Sequence, residues 1–208
     1  MHVRSKFVLV VGCAAAVVAV VVPTASAGAK TECNGTYSNQ TLNGGVVVKQ
    51  GDVCDLDNVT VNGGLTVNGG SYSLLAVNNS TINGGWSITG VVYPVGSNHG
   101  YFCGDNVNGG LNVIGTEAHG LPLLFGEADA GCAGGTINGG ASFVNNHAAV
   151  ELDTYTVNGG VTFSGNAGGF NEIEGTTVHG QASCQAGVTN DGDGGPNSYT
   201  GPNNGCPA

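Results

Sequence analysis

Thr60-Val61-Asn62-Gly63-Gly64-Leu65-Thr66-Val67 is the stretch on which the architecture turns. Asn-Gly is a turn signal, and Leu65 and Val67 beyond it are apolar around a polar Thr66. That is period-two alternation, the mark of a half-buried strand. The tripeptide recurs at Asn43, Asn68, Asn83, Asn108, Asn138 and Asn158, with His179-Gly180 as a variant. With Asn68 set aside as an extra copy inside one unit, the spacings are 19, 21, 25, 30, 20 and 21 residues. Periods of this size indicate a repeat architecture.

Alignment on the corner Asn sorts the chain into columns. One residue before it stand Leu42, Val61, Ile82, Val107, Ile137, Val157 and Val178. Three after it stand Val46, Leu65, Trp86, Leu111, Ala141, Val161 and Ala182, and five after it Val48, Val67, Ile88, Val113, Phe143, Phe163 and Cys184. Six before it stand Leu56, Val77, Phe102, Cys132, Leu152 and Ile173. A Thr column lies two before the Asn, suited to an outward strand position. Each unit reads as strand, corner, strand, Asn-Gly-Gly corner, strand and variable loop. Glycine is expected at the corners for its access to φ > 0. Stacked Asn side chains, about 4.8 Å apart, would form an amide ladder. The expected fold is all-β, a right-handed parallel β-helix of about seven coils.

Gly51-Asp52-Val53-Cys54-Asp55-Leu56-Asp57-Asn58-Val59-Thr60-Val61-Asn62-Gly63-Gly64 resembles a unit of small secreted bacterial β-helix proteins, many of them actinobacterial. The stretch from Asn171 to Cys206, closing on a Gly/Pro/Asn-rich segment and a last Cys, is similar too. The resemblance covers most of the chain after its first segment. It implies a pectin-lyase-like architecture and brings no established activity with it.

Residues 1–27 read as a signal peptide. Arg4 and Lys6 precede an apolar run from Phe7 to Val22, then Pro23 and Ala25-Ser26-Ala27. Val10-Val11-Gly12 before Cys13 makes lipid anchoring at Cys13 a minor alternative. The run is shorter than the ~20 residues that span a bilayer, so no membrane span is expected. The β-helix domain is expected over 28–184, with 185–208 a Gly/Asn/Pro-rich tail capping the last coil. Past residue 27, two lysines face fourteen acidic residues, a net charge of −12. Such a surface repels nucleic acid, anionic lipid and polyuronates.

Six cysteines remain in an exported chain, which points to disulfides. Register favours Cys33–Cys54 at the first coils, Cys103–Cys132 one coil apart, and Cys184–Cys206 holding the tail over the open end.

Two features carry functional expectations. The long spacings place inserted loops at 90–100 and 115–131, and insertions on one side of a solenoid often form its binding face. These loops carry Tyr93, His99, His119, Leu121, Leu123, Leu124 and Phe125, a candidate interaction surface unless the apolar run folds back as a local core. The second feature is a register of acids. Asp55 and Asp57, Glu151 and Asp153, and Glu172 and Glu174 stand seven and five residues before their corners. All are expected to point outward on an open face. Glu151, Asp153, Glu172 and Glu174 would lie side by side, a weak surface Ca²⁺ site or a solvated acidic stripe. No other cofactor is expected.

The functional expectation is a secreted or cell-surface structural or interaction solenoid without catalysis. Its partner would be an extracellular protein or a neutral carbohydrate of the cell envelope. The alternative is a β-helix that binds or degrades polysaccharide. Against degradation stand the absence of arginine after Arg4 and the lack of evident long loops around the acid pairs.

Overall fold

A computed structural model describes residues 28–71, 74–93, 100–118 and 122–208. The expected signal peptide, Cys13, His99, His119 and Leu121 lie outside the described residues. The chain winds into a β-solenoid of about seven coils. Three all-parallel sheets run along it, of ten, eight and eight strands. Each full coil contributes a strand to each sheet, and the coil of Leu111–Ile114 adds a second, Glu117–Ala118, to the first. The strands after the corner, such as Leu111–Ile114, Ala141–Val144 and Val161–Ser164, form the first sheet. A second sheet holds Val53–Asp57, Tyr101–Cys103, Leu123–Phe125, Val150–Asp153 and Asn171–Glu174. The two-residue strands before each corner, such as Thr60–Val61, make the third. This arrangement is consistent with a right-handed parallel β-helix. No described helix is long and apolar enough to cross a membrane.

The inward columns form one continuous buried core. Trp86, Phe102, Phe125, Phe143 and Phe163 stack along it, with successive ring centroids 5.1, 4.5, 5.5 and 4.7 Å apart. At the corners, Asn62 donates to Asn43, Asn83 to Asn62, Asn108 to Asn83, Asn138 to Asn108 and Asn158 to Asn138, all at 2.7–2.8 Å. His179 stands next in this column and pairs with Thr200 of the following coil, 3.3 Å away.

The corner glycines are needed for a different reason from the one expected. Among the described residues, of the glycine pairs at Asn-Gly-Gly corners only Gly44 and Gly45 have positive φ. In the later coils the constraint is close approach. A Cβ on Gly139 would lie 2.8 Å from the backbone of Gly109, and one on Gly159 would lie 2.5 Å from that of Gly139. The left-handed conformation falls four residues before the corner Asn, at Asn39, Asn58, Asn79 and Thr154, where φ is 51–56°.

Two interior ladders are absent from the sequence reading. Asn146 and Asn166, eight residues past their corners, pair side chain to side chain at 3.0 Å. Each also donates to a backbone carbonyl, those of Val113 and Phe143. Ser80, Asp105, Thr176 and Asn197 each accept the backbone N–H of the residue in register on the preceding coil. They replace backbone pairing where the strands break, so that the N–H groups of Val59, Ser80, Tyr155 and Thr176 stay paired as the chain turns the corner.

The longest unit departs from expectation. Cys132 does not occupy the inward position six before Asn138. Phe125 does, aligned between Phe102 and Leu152 although it stands thirteen residues before that corner. Leu123, Leu124 and Phe125 are therefore a buried strand and no part of an exposed interaction loop. Apolar bulk drove them inward, and the surplus residues left the coil after the strand, at 126–134. Tyr93 ends the long strand Trp86–Tyr93.

Three disulfides join Cys33 to Cys54, Cys103 to Cys132 and Cys184 to Cys206, with Cα atoms 4.8–5.4 Å apart. The last one holds the tail across the C-terminal end. There Tyr199 donates to the carbonyl of Pro207 at 2.8 Å, and Cys206 joins the core.

Candidate metal centre

The second sheet brings the predicted acids together. Glu151 is in register with Glu172, and Asp153 with Glu174, across adjacent parallel strands. Residues opposite one another at this spacing are in contact, so four carboxylates share one patch. The patch is not an open stripe. Asp153 is 2 %, Glu174 4 % and Glu172 8 % exposed. Two segments outside the regular repeat wall it in.

One wall is the surplus segment after Phe125. Glu127 and Cys132 exchange backbone hydrogen bonds of 2.7 and 2.9 Å, closing a tight hairpin. The Cys103–Cys132 disulfide pins that hairpin to the preceding coil. Glu127 and Asp129 project from it, and the Ala128 N–H donates to Asp153 Oδ2 at 2.6 Å. The other wall is the tail turn 190–195, which brings Asp191 and Asp193. Its Gly192 N–H donates to Glu174 Oε2 at 3.3 Å, and Thr189 just before it donates to Glu172 Oε1 at 2.9 Å. Gly194 lies directly on Asp153, where a Cβ would stand 2.1 Å from Oδ1.

The result is a cavity of about 260 Å³ lined by Glu127, Asp129, Glu151, Glu172, Glu174, Asp191 and Asp193, with Phe170 on its rim. With Asp153 beneath, eight of the chain's fourteen acidic residues meet there. Among the described residues, the lysines Lys30 and Lys49 both stand in the first coils, and Lys49 pairs with Glu32. Phe170 is 64 % exposed, unlike the aromatic residues of the core.

The electrostatics follow from this crowding. Burial raises Glu151 to about 8, helped by its contact with the Glu127 carboxyl. Burial also raises Glu174 to about 8, helped by a hydrogen bond shared with Asp193. Asp153 and Glu172 are raised by burial as well. Asp193 is pulled down to about 2 by hydrogen bonds from Glu174, Asp191 and Asp129. Without a cation the pocket must hold protons between its carboxylates. One buried oxygen, Asp153 Oδ1, has no hydrogen-bond partner.

The sequence reading placed four of these eight acids and missed Glu127, Asp129, Asp191 and Asp193. A signal was present. Glu127-Ala128-Asp129 and Asp191-Gly192-Asp193 repeat the acid-x-acid spacing of Glu151-Leu152-Asp153 in glycine-rich surroundings.

No known protein family, curated protein or solved structure matches the chain.

Proposed function

We propose that this protein is a secreted structural or interaction solenoid whose C-terminal pocket binds Ca²⁺. One observation carries the reading: seven carboxylates line a walled cavity, and beneath it a buried oxygen of Asp153 is left without a partner. Hard oxygen ligands from strands and turns suit Ca²⁺, which accepts irregular coordination by six to eight oxygens. The ion would tie the hairpin at 126–132 and the tail turn to the second sheet, stiffening one end of the rod. Three disulfides fit an oxidising compartment, which supports secretion. The architecture supports the resemblance to small secreted bacterial β-helix proteins. The test is thermal melting in millimolar Ca²⁺ against chelator. A rise of several degrees is expected, and an unchanged melting temperature would sink the reading.

A polysaccharide-directed role is favoured by a second observation. The walls remove the objection that the acid pairs lie on an open face, and Phe170 offers a ring beside carboxyls whose proton affinities are driven apart. Acid and base roles on a glycosidic bond require such a split. Release of reducing ends from neutral polysaccharides, abolished in Glu174→Gln, would establish it. A panel without turnover, with and without Ca²⁺, would remove it.

A further inference from the structure

The corner Asn ladder has a direction. From Asn62 to Asn138 each carboxamide donates through Nδ2 to the coil before it and accepts on Oδ1 from the coil behind. Asn43 ends the row. Its Oδ1 accepts from Asn62 at 2.8 Å, and its Nδ2 has no acceptor among the described residues. The backbone repeats the contrast. Gly84, Gly109, Gly139 and Gly159 follow their corner Asn, and each donates its N–H to a glycine carbonyl of the preceding coil at 2.9–3.0 Å. The Gly44 N–H has no such acceptor among the described residues, and its φ is 88°.

We infer that Asn43-Gly44 is a site of spontaneous deamidation, and that the ladder shields the other corner asparagines from the same reaction. The Gly44 backbone nitrogen attacks Asn43 Cγ. A C–N bond forms, the N–H proton goes to the leaving group, and the Cγ–Nδ2 bond breaks with release of ammonia and closure of a succinimide. Water then opens the ring at either carbonyl and leaves aspartate or isoaspartate at 43. Nothing is oxidised or reduced. Glycine puts no side chain in the way of the attack, and Asn43 is exposed to the water that completes it.

Every corner step offers the same two residues, so hydrogen bonding ranks them. At Asn83, Asn108, Asn138 and Asn158 both the leaving amide and the attacking nitrogen are engaged. At Asn62 the amide alone is held, because the Gly63 N–H has no acceptor among the described residues. At Asn43 neither is held. Two bonds that must open first slow a reaction on the order of tenfold or more. Asn68-Gly69 lies inside the strand Leu65–Ser71 and is no part of the ladder. The product also fits best at the end of the row. Asn43 serves the ladder as an acceptor alone, so a carboxylate there keeps the bond from Asn62 and makes it charge-assisted. At Asn108 the same change would remove a donor that lies 2.7 Å from Asn83 Oδ1 and leave two acceptors facing each other. The site stands at the other end of the rod from the acidic pocket and does not depend on cation binding.

Peptide mapping by mass spectrometry tests this on disulfide-intact protein aged in mildly alkaline buffer. Conversion is expected first at Asn43, next at Asn62, and at least about tenfold more slowly at Asn83, Asn108, Asn138 and Asn158. The reduced chain unfolded in guanidinium is expected to lose this ranking. Asn43→Asp is expected to melt with the wild type, and Asn108→Asp several degrees lower. No conversion at Asn43, or equal rates at Asn43 and Asn108 in the folded protein, overturns the site. A ranking that survives unfolding has its cause outside the ladder and overturns the shielding. A melting temperature lowered as far by Asn43→Asp as by Asn108→Asp overturns the fit of the product.

Discussion

Asp55 and Asp57 occupy the same repeat positions as Glu151 and Asp153, and the two pairs have opposite fates. Asp57 is exposed and Asp55 half-buried at the N-terminal end, on a strand whose outward face meets solvent. Asp153 is buried, under a hairpin and a tail turn. The strands are alike, so the repeat does not make the site. What differs is the material outside it: the residues added after Phe125 and the tail beyond Cys184. The solenoid supplies register and rigidity, and irregular segments convert one stretch of it into a pocket.

Asp105 tests whether burial alone, with no cation in play, governs an acid in this fold. It is fully buried in the interior, with Oδ1 accepting the Ser80 N–H at 2.8 Å and Oδ2 unpartnered. Burial raises it from 3.8 to about 8. The folded state thus keeps a proton that the unfolded chain loses near pH 4. Between those values the unfolded state binds fewer protons, and stability falls as pH rises, by on the order of 1.4 kcal/mol per pH unit. Asn197, three residues before its own corner position, donates its amide to the Ile173 carbonyl at 2.7 Å. Asp105→Asn is expected to supply the same donor and to remove one proton's worth of slope in urea melts between pH 5 and 8. An unchanged slope would mean that Asp105 ionises freely in the fold.

The walls can be loosened selectively. Replacing both Cys103 and Cys132 by Ser frees the hairpin that carries Glu127 and Asp129. A loop of this size costs about 3 kcal/mol of stability, and Ca²⁺ affinity is expected to fall with it. Replacing Cys33 and Cys54 by Ser is expected to cost a similar amount and leave Ca²⁺ affinity alone. Calorimetric melting and calcium titration of the two variants separate pocket from scaffold. Equal calcium affinities would show that the hairpin is no part of the site.

Proton competition offers a finer contrast. Glu151 and Glu174 hold protons up to about pH 8 in the cation-free pocket. Calcium must displace them, so affinity is expected to rise between pH 5 and 8, by about tenfold per pH unit for each proton released. Titration in buffers of different ionisation enthalpy counts those protons. Asp55→Asn/Asp57→Asn is expected to leave both affinity and proton count as in the wild type.

Sequence made the regular part of this molecule legible and obscured the irregular part. Corners, inward columns and the cysteine pairs of the two ends follow from spacing, because a stacked coil repeats its contacts at fixed offsets. Counting back from Asn138 failed, since it assumed that the added residues precede the inward strand. Burial of Leu123 and Phe125 decided otherwise, and burial depends on the whole cross-section. The acid register at Glu151, Asp153, Glu172 and Glu174 was legible for the same reason as the corners. Enclosure was not, because it comes from segments 126–134 and 190–195, which have no counterpart in other units. The interior Asn146–Asn166 pair went unnoticed because its neighbours in the column are Thr116 and Gln185, four residues of three types doing one job.

The smallest difference between the two acid pairs lies one residue beyond them. Asp57 is followed by Asn58 and Asp153 by Thr154, both left-handed, with φ of 53° and 56°. Asn tolerates that region, whereas a β-branched side chain there is strained by about 1–3 kcal/mol. Thr154 offsets part of this by accepting the Gly134 N–H on Oγ1 at 2.9 Å, at the foot of the hairpin. Thr154→Asn copies the open unit into the walled one. The Asn amide oxygen can accept the same N–H, so a gain of about 1 kcal/mol in thermal stability is expected, with calcium binding unchanged. A loss of stability would show that the hydroxyl's hold on Gly134 outweighs the backbone strain. The unfavourable residue would then be part of how the hairpin is kept over Asp153.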